Sequence, residues 1–230
     1  MTDFLSTSTL LLPALTIGAF ALGGIIQARW KKAILNPILI AAALMILVLY
    51  VLDIPVAVYQ ENCKIFSWFM TPATICLAIA FAEQLENLKS HIWAILTGVL
   101  AGTVCSLASV TLLSRLFGLD TILFTSLLPK NVTTAIGMVL SEQAGGIGAL
   151  TTAAIIFTGI LGNTAGLWFA KCFRIREPIA QGVAFGTAGH VIGTSKANEL
   201  NPLTGAVSSL SLVVAGLLTA VIFPMIAGLV

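Results

Sequence analysis

The chain has 230 residues, of which 58% are hydrophobic and 9% are charged, and its formal net charge is +2. Soluble domains carry about 25% charged residues, and disordered chains combine low hydrophobicity with high charge, so this composition excludes both classes. The small net charge also excludes a nucleic-acid-binding surface. The sequence therefore predicts an integral membrane protein that crosses the bilayer several times.

A helix needs about 20 mostly apolar residues to cross the hydrocarbon layer. Suitable runs form eight candidate segments, at 8–28, 37–53, 65–83, 91–114, 119–141, 147–170, 179–198 and 203–229. We expect an all-α, polytopic transmembrane bundle of seven to eight hydrophobic segments and a single domain over residues 1–230. Pro, Gly or charged residues interrupt 65–83, 119–141 and 179–198, which predicts broken or re-entrant helices at those places.

The basic residues concentrate in two loops, 29–36 and 171–177. The positive-inside rule predicts that both loops face the cytoplasm. Five candidate segments lie between them, however, and five crossings would put the loops on opposite faces. A re-entrant helix at 65–83 or at 119–141 would remove this conflict.

Two of the interrupted segments resemble each other. Residues 72–80 and 129–137 share the pattern Pro, any residue, Thr/Asn, Ile/Val, Cys/Thr, any residue, Ala-Ile and a small residue. The pattern favours an inverted repeat, in which paired broken helices meet at a substrate site, and makes Thr74 a candidate substrate-binding residue. A chance similarity is the alternative.

The second copy contains a lysine in an apolar run. Pro129 breaks a helix, and a helix that restarts after it has Asn131 as an N-cap and N–H groups that favour an anion. With Lys130 and the hydroxyls of Thr133 and Thr134, these groups predict a carboxylate-binding pocket. The alternative is a simple kink, in which the threonines bond to their own helix.

Segment 179–198 carries a stripe of glycines and a histidine. The glycines, at 182, 186, 189 and 193, predict close helix packing. On a regular helix Thr187 and Thr194 share a face with His190, which favours a proton relay or a bond to substrate. An interhelical hydrogen bond is the alternative for His190. Glu142 and Glu199 are further candidates for coupling or gating, or else ordinary interfacial carboxylates.

Nothing in the sequence predicts an enzyme, a metal site or a cofactor. The four cysteines lack zinc-ligand spacing, and Cys76 and Cys105, which lie in apolar runs, are expected to act as small apolar residues. No hydrolase elbow, phosphate-binding loop, dinucleotide fingerprint or HExxH motif is present.

Two motifs identify a family. Leu128–Ile136 (LPKNVTTAI) resembles the LPKSVTTPIA signature of the LrgB (CidB-like) family, and Gly186–Thr194 (GTAGHVIGT) resembles its G-T-A-x-H-x-x-G-T motif. Glu199 and residues 205–210 follow the same pattern. Ala135 and Ala80 depart from it, because the family usually has proline at both positions.

The resemblance implies two different activities. The family was named for antiholin-like modulators of murein hydrolase activity and autolysis, and similar proteins carry glycolate, glycerate or pyruvate across membranes. We expect a carrier of small monocarboxylates, with the autolysis modulator as the alternative. The resemblance also implies a multi-pass protein of the bacterial cytoplasmic membrane, a homo-oligomer such as a dimer, and a small holin-like membrane partner of the LrgA/CidA type. Lipid and a small carboxylate are the other expected partners.

Overall fold

A computed structural model describes residues 10–30, 37–69 and 89–228, together with Pro72, Ile75, Cys76, Ile79, Ala82 and Glu86. The chain divides into two compact units, Met1–Cys76 and Leu77–Val230. Thr74 and most of the first copy of the repeat lie outside the described residues, so the inverted repeat stays a prediction.

The first unit contains helices α1 (Leu11–Trp30), α2 (Pro37–Val51), α3 (Val56–Asn62) and α4 (Ile65–Trp68). Helix α1 packs against α2 through Ala19, Ala41 and Met45. The Thr16 hydroxyl joins α1 to α3 through a hydrogen bond of 3.2 Å with the Tyr59 hydroxyl. This unit contains none of the candidate site residues that the structure describes.

The second unit contains helices α5 (Ile92–Phe117), α6 (Thr121–Leu127), α7 (Thr134–Gln143), α8 (Gly148–Cys172), α9 (Pro178–Leu200) and α10 (Pro202–Ala227). One apolar cluster joins α5 to α10 through Ile95, Val99, Ala206, Val207 and Ala215. A second cluster adds Phe124 of α6 and Leu128 to Leu107, Val110 and Phe223. The interrupted region around Leu128 is therefore anchored on two long helices.

Among the described residues, four helices are long and apolar enough to cross a membrane: α1, α5, α8 and α10. Helix α2 is apolar but shorter. Large hydrophobic side chains such as Tyr50, Trp93 and Leu116 are 73–84% exposed, which suits a surface in contact with lipid. The predicted all-α membrane class with broken helices is confirmed, although the predicted seven to eight segments exceed the number of long helices that the structure describes.

Helix α9 is interrupted at His190, whose backbone has φ 42° and ψ −134°. In a straight helix, residues 185 and 193 would be about 12 Å apart along the axis. Instead, a Cβ on Gly193 would lie 2.5 Å from the carbonyl oxygen of Phe185. The chain therefore folds back on itself at His190.

Contacts with α10 give the direction of each half of α9. Along the first half, Gly182 faces Val207 and Gly186 faces Ser211, so this half runs parallel to α10. Along the second half, Thr194 bonds Ser208 at 2.9 Å and Asn198 faces Gly205, so this half runs antiparallel. The two halves form a helical hairpin with His190 at its tip.

This hairpin confirms the predicted break in segment 179–198 but corrects the expected placement of its residues. Because the segment reverses at His190, the side chains of His190, Thr187 and Thr194 do not share a helical face. Segment 119–141 is also broken, between Leu127 and Thr134, and most of 65–83 lies outside the described residues, so a re-entrant helix there stays a prediction. Hydropathy does not distinguish a hairpin from a single span, because two short apolar helices have the same composition as one long one.

Close packing of α8 on α9 predicts a difference between two glycine substitutions. A Cβ on Gly162 would lie 2.8 Å from the Cα of Gly189, whereas a Cβ on Gly102 would have Thr187 as its nearest neighbour at 3.5 Å. We expect Gly162→Ala to destabilise the protein by about 1–3 kcal/mol because backbones must separate. Gly102→Ala should be neutral or stabilising, since alanine favours a helix over glycine. Thermal unfolding in detergent measures both, and equal midpoints would contradict this packing.

The backbone of His190 predicts a second difference. Its positive φ with an extended ψ suits glycine and strains other residues by about 1–3 kcal/mol. His190→Gly and His190→Ala both remove the imidazole ring, so their comparison isolates the backbone. We expect the glycine variant to unfold at the higher temperature. If the alanine variant were as stable as the glycine variant, the turn at residue 190 would be wrong.

Candidate functional site

The break between α6 and α7 lies within residues 128–133. Asp120 caps α6 by accepting a hydrogen bond of 2.8 Å from the N–H of Leu123, and Pro129 cannot donate to the preceding turn. The chain resumes as α7 after Thr133, which is extended at φ −67° and ψ 150°. The predicted break is confirmed, but Thr133 and not Asn131 is the N-cap residue of α7, and its side chain makes no capping bond.

Lys130 lies in this break and is half-buried. Its ammonium nitrogen Nζ donates a hydrogen bond of 2.9 Å to the side-chain oxygen Oδ1 of Asn131. The salt bridges among the described residues are Glu61–Lys64 and Lys196–Glu199. Lys130 is therefore held by a neutral amide, and no carboxylate of the described residues neutralises it.

A cavity of about 550 Å³ adjoins Lys130 and Asn131. Its wall is formed by α8 and by the first half of α9, and most of it is apolar. The lining residues are Lys130, Asn131, Thr158, Leu161, Gly162, Ala165, Gly166, Phe169, Ala170, Ile175, Gln181, Ala184, Phe185, Ala188 and Gly189. The cavity thus combines one cation, three neutral polar side chains and small apolar residues.

A much smaller cavity, of about 10 Å³, lies on another side of Asn131. It is lined by Thr103, Ser106, Leu107, Leu128, Asn131, Thr187, Ala215 and Thr219. The hydroxyls of Thr103 and Ser106 are buried and have no protein hydrogen-bond partner. A polar space of this size accommodates about one water molecule, which would bond these hydroxyls close to Asn131.

His190 is buried and lines neither of these two cavities. Its ring nitrogen Nε2 donates a hydrogen bond of 2.7 Å to the carbonyl oxygen of Ile155 in α8. Thr194 donates to the carbonyl of His190 at 2.8 Å, and Thr187 donates to the carbonyl of Val183. The bond from His190 to Ile155 ties the tip of the hairpin to α8, whereas the two threonine hydroxyls bond carbonyls four residues earlier within α9.

The remaining candidates lie away from the large cavity. Thr133 and Thr134 start α7, and only their neighbours Lys130 and Asn131 line the cavity. Glu142 is exposed beside Gly148, at the start of α8, where a helix N-terminus favours a carboxylate. Glu199 is exposed and forms an ion pair of 2.6 Å with Lys196. Their coupling or gating roles stay predictions.

Sequence reasoning did not select Thr103, Ser106, Thr158 or Gln181. Thr103 and Ser106 are one helical turn apart in an apolar run, so a search for polar pairs at this spacing would have found them. The Gln181 side chain is held by a hydrogen bond of 2.9 Å, which its Nε2 donates to the carbonyl of Ile175. No local pattern indicates that contact, since it crosses the turn between α8 and α9.

Comparisons with known proteins agree with the motifs. The model of the LrgB-like family matches residues 16–229. Proteins named "Antiholin-like protein LrgB" from Bacillus mycoides (strain KBAB4), Bacillus cereus (strain B4264) and Bacillus anthracis (strain CDC 684 / NRRL 3495) are each 36% identical over 208 residues, which is 90% of this chain and 90% of theirs. No solved structure matches the chain. The resemblance is confirmed: the chain is a membrane protein that belongs to the LrgB-like family.

Proposed function

We propose that this protein carries small monocarboxylates across the membrane and binds the carboxylate beside Lys130. One observation carries the proposal: a half-buried cation faces a cavity of about 550 Å³ and bonds only a neutral amide among the described residues. A lysine in the middle of a membrane costs about 2.5–3.5 kcal/mol on insertion scales. An anionic ligand would offset that cost while it is bound.

The chemistry of the cavity suits one carboxylate. A charge-assisted bond from ammonium to carboxylate is stronger than a bond to a neutral amide, so a carboxylate would displace Asn131 from Lys130. The amide group of Asn131 has two N–H donors with which to hold a second carboxylate oxygen. One cation balances one negative charge, which favours monocarboxylates over dicarboxylates.

The walls of the cavity suit a short acid. Glycine and alanine of α8 and α9 form much of the lining, and Thr158 and Gln181 provide neutral polar groups. These groups can bond a hydroxyl or keto oxygen, while the apolar surface receives carbon atoms. Glycolate, glycerate, lactate and pyruvate therefore form the proposed substrate class.

The two helix breaks of the second unit support alternating access. Lys130 and Asn131 come from the α6–α7 break, and Gly189 adjoins the turn of the α9 hairpin, and all three line the same cavity. Carriers bind substrates where discontinuous helices meet, and gate by moving one bundle against another. We propose such gating here, with the protein a multi-pass component of the bacterial cytoplasmic membrane and a homodimer.

The second candidate function is an antiholin-like modulator of murein hydrolase activity and autolysis. The name of the relatives supports it, and at 36% identity over 90% of the chain that name favours it more directly than it favours transport. In this function the protein would act with a small holin-like membrane partner. The large cavity and Lys130 have no necessary role in it.

Lys130→Gln tests the site. The variant keeps a long polar side chain but loses the charge, so we expect uptake of its best substrate to fall at least about tenfold, which corresponds to about 1.4 kcal/mol of binding. Lys196→Gln is the matched control, because Lys196 is paired with Glu199 and lines neither cavity. Counterflow of radiolabelled glycolate, glycerate, lactate and pyruvate into proteoliposomes measures both variants.

Two outcomes would overturn the proposed carrier function. Wild-type proteoliposomes that accumulate none of the four acids would exclude this substrate class. Saturable uptake that is unchanged in Lys130→Gln would exclude Lys130 as the binding group. The antiholin-like function would be supported instead by non-selective leakage from the proteoliposomes, together with an autolysis rate that expression of the wild type and of both variants changes equally.

A further inference from the structure

A basic segment spans the end of α8 and the loop that follows it, and it lines a cavity of its own. Lys171, in the last turn of α8, lies within six residues of Arg174 and Arg176 in the loop, and all three are exposed. Together with Leu167, Ala170, Ile175 and Gln181 they line a cavity of about 280 Å³. Neither salt bridge of the described residues involves these cations, so their charge is available to an anion.

The loop has a defined conformation. The N–H of Ile175 bonds the carbonyl of Ala170 at 2.8 Å, and the N–H of Arg174 bonds that of Lys171 at 3.1 Å. These bonds end α8 in a turn that requires a left-handed residue, a position at which glycine is usual. Here the residue is Arg174, with φ 57°. The turn fixes the backbone of Arg174 beside the cavity that this residue lines.

The loop cavity adjoins the cavity beside Lys130. Ala170, Ile175 and Gln181 line both, and the bond of 2.9 Å from Gln181 Nε2 to the Ile175 carbonyl lies at this shared wall. Four cations, which are Lys171 at the end of α8, Arg174 and Arg176 in the loop, and Lys130, therefore border two neighbouring spaces. Clefts that carry charge of one sign concentrate ligands of the opposite sign and raise their association rates by about 10–10³.

We propose that Lys171, Arg174 and Arg176 form an anion-attracting vestibule that supplies small carboxylates to the Lys130 cavity. The proposal rests on the proposed function, because it assumes that Lys130 binds the carboxylate. The vestibule recognises negative charge in a small ligand, and lipid phosphate is the other source of that charge at a membrane surface. The experiment separates the two sources.

A cysteine in the Lys130 cavity reports on the vestibule without any transport. Ala188 lines that cavity and is exposed, so Ala188→Cys is introduced after Cys63, Cys76, Cys105 and Cys172 are replaced by serine. The protein is placed in phosphatidylcholine nanodiscs. The rate of modification is then measured with an anionic reagent, sulfonatoethyl methanethiosulfonate, and with its cationic trimethylammonioethyl counterpart.

The vestibule variant combines Lys171→Gln, Arg174→Gly and Arg176→Gln. Glycine is chosen at residue 174 because it adopts the left-handed conformation without strain, so the turn is retained. We expect the anionic-to-cationic rate ratio to fall at least about tenfold at low ionic strength and to change little at high salt. Lys196→Gln, which removes a cation outside both cavities, should leave the ratio unchanged. A thermal midpoint that is not lowered shows that the vestibule variant is folded, since Arg174→Gly relieves backbone strain.

Each result decides the proposal. An equal anionic-to-cationic rate ratio in the vestibule variant and in the parent would overturn it. It would also be overturned if phosphatidylglycerol abolished the parent's preference for the anionic reagent, since lipid phosphate would then occupy the loop. A ratio that falls as expected supports the vestibule even if no acid of the uptake panel is transported, in which case the carrier alone fails. If the parent transports an acid but the vestibule variant has the same rate ratio as the parent, the vestibule alone fails.

Discussion

The second unit depends on the requirement that backbone groups within a membrane find hydrogen-bond partners inside the protein. Helix α9 meets this requirement although it reverses at His190. The His190 ring bonds the Ile155 carbonyl, and the Asn163 amide donates to the Ile192 carbonyl at 3.0 Å. Both partners belong to α8, which approaches α9 closely at Gly162. Glycine packing thus brings the Asn163 amide within reach of the Ile192 carbonyl near the break, and the Ile155 carbonyl within reach of the buried His190 ring.

The same packing creates the environment of Lys130. Because α9 reverses, its first half ends beside α8 and leaves a cavity that the α6–α7 break borders. The lysine faces this cavity with Asn131 as its partner. A neutral partner leaves the cation available, whereas a carboxylate partner would have neutralised it at the cost of ligand binding. The proposed binding site therefore differs from a structural ion pair in that its cation has no carboxylate partner among the described residues.

The candidate residues separate into three groups with different physical roles. Lys130 and Asn131 line the large cavity, while His190, Thr187 and Thr194 bond backbone carbonyls of α8 and α9. Glu142 and Glu199 are exposed carboxylates near helix ends. Motif membership alone does not separate these roles, since a family can retain a residue for a backbone turn as strictly as for a ligand. The vestibule arginines belong to no motif and are distinguished by position.

The sequence by itself determined the membrane class, through its apolar runs, and the break near Lys130, because proline interrupts a helix whatever surrounds it. It also determined the family through the motifs at 128–136 and 186–194. Only the tertiary structure decided that α9 reverses, that α7 begins after Thr133, and that the His190 ring faces α8. The reversal and the orientation of the ring depend on contacts between residues far apart in the chain, such as Gly189 with Gly162 and His190 with Ile155, and local hydropathy carries no information about which distant surfaces will meet.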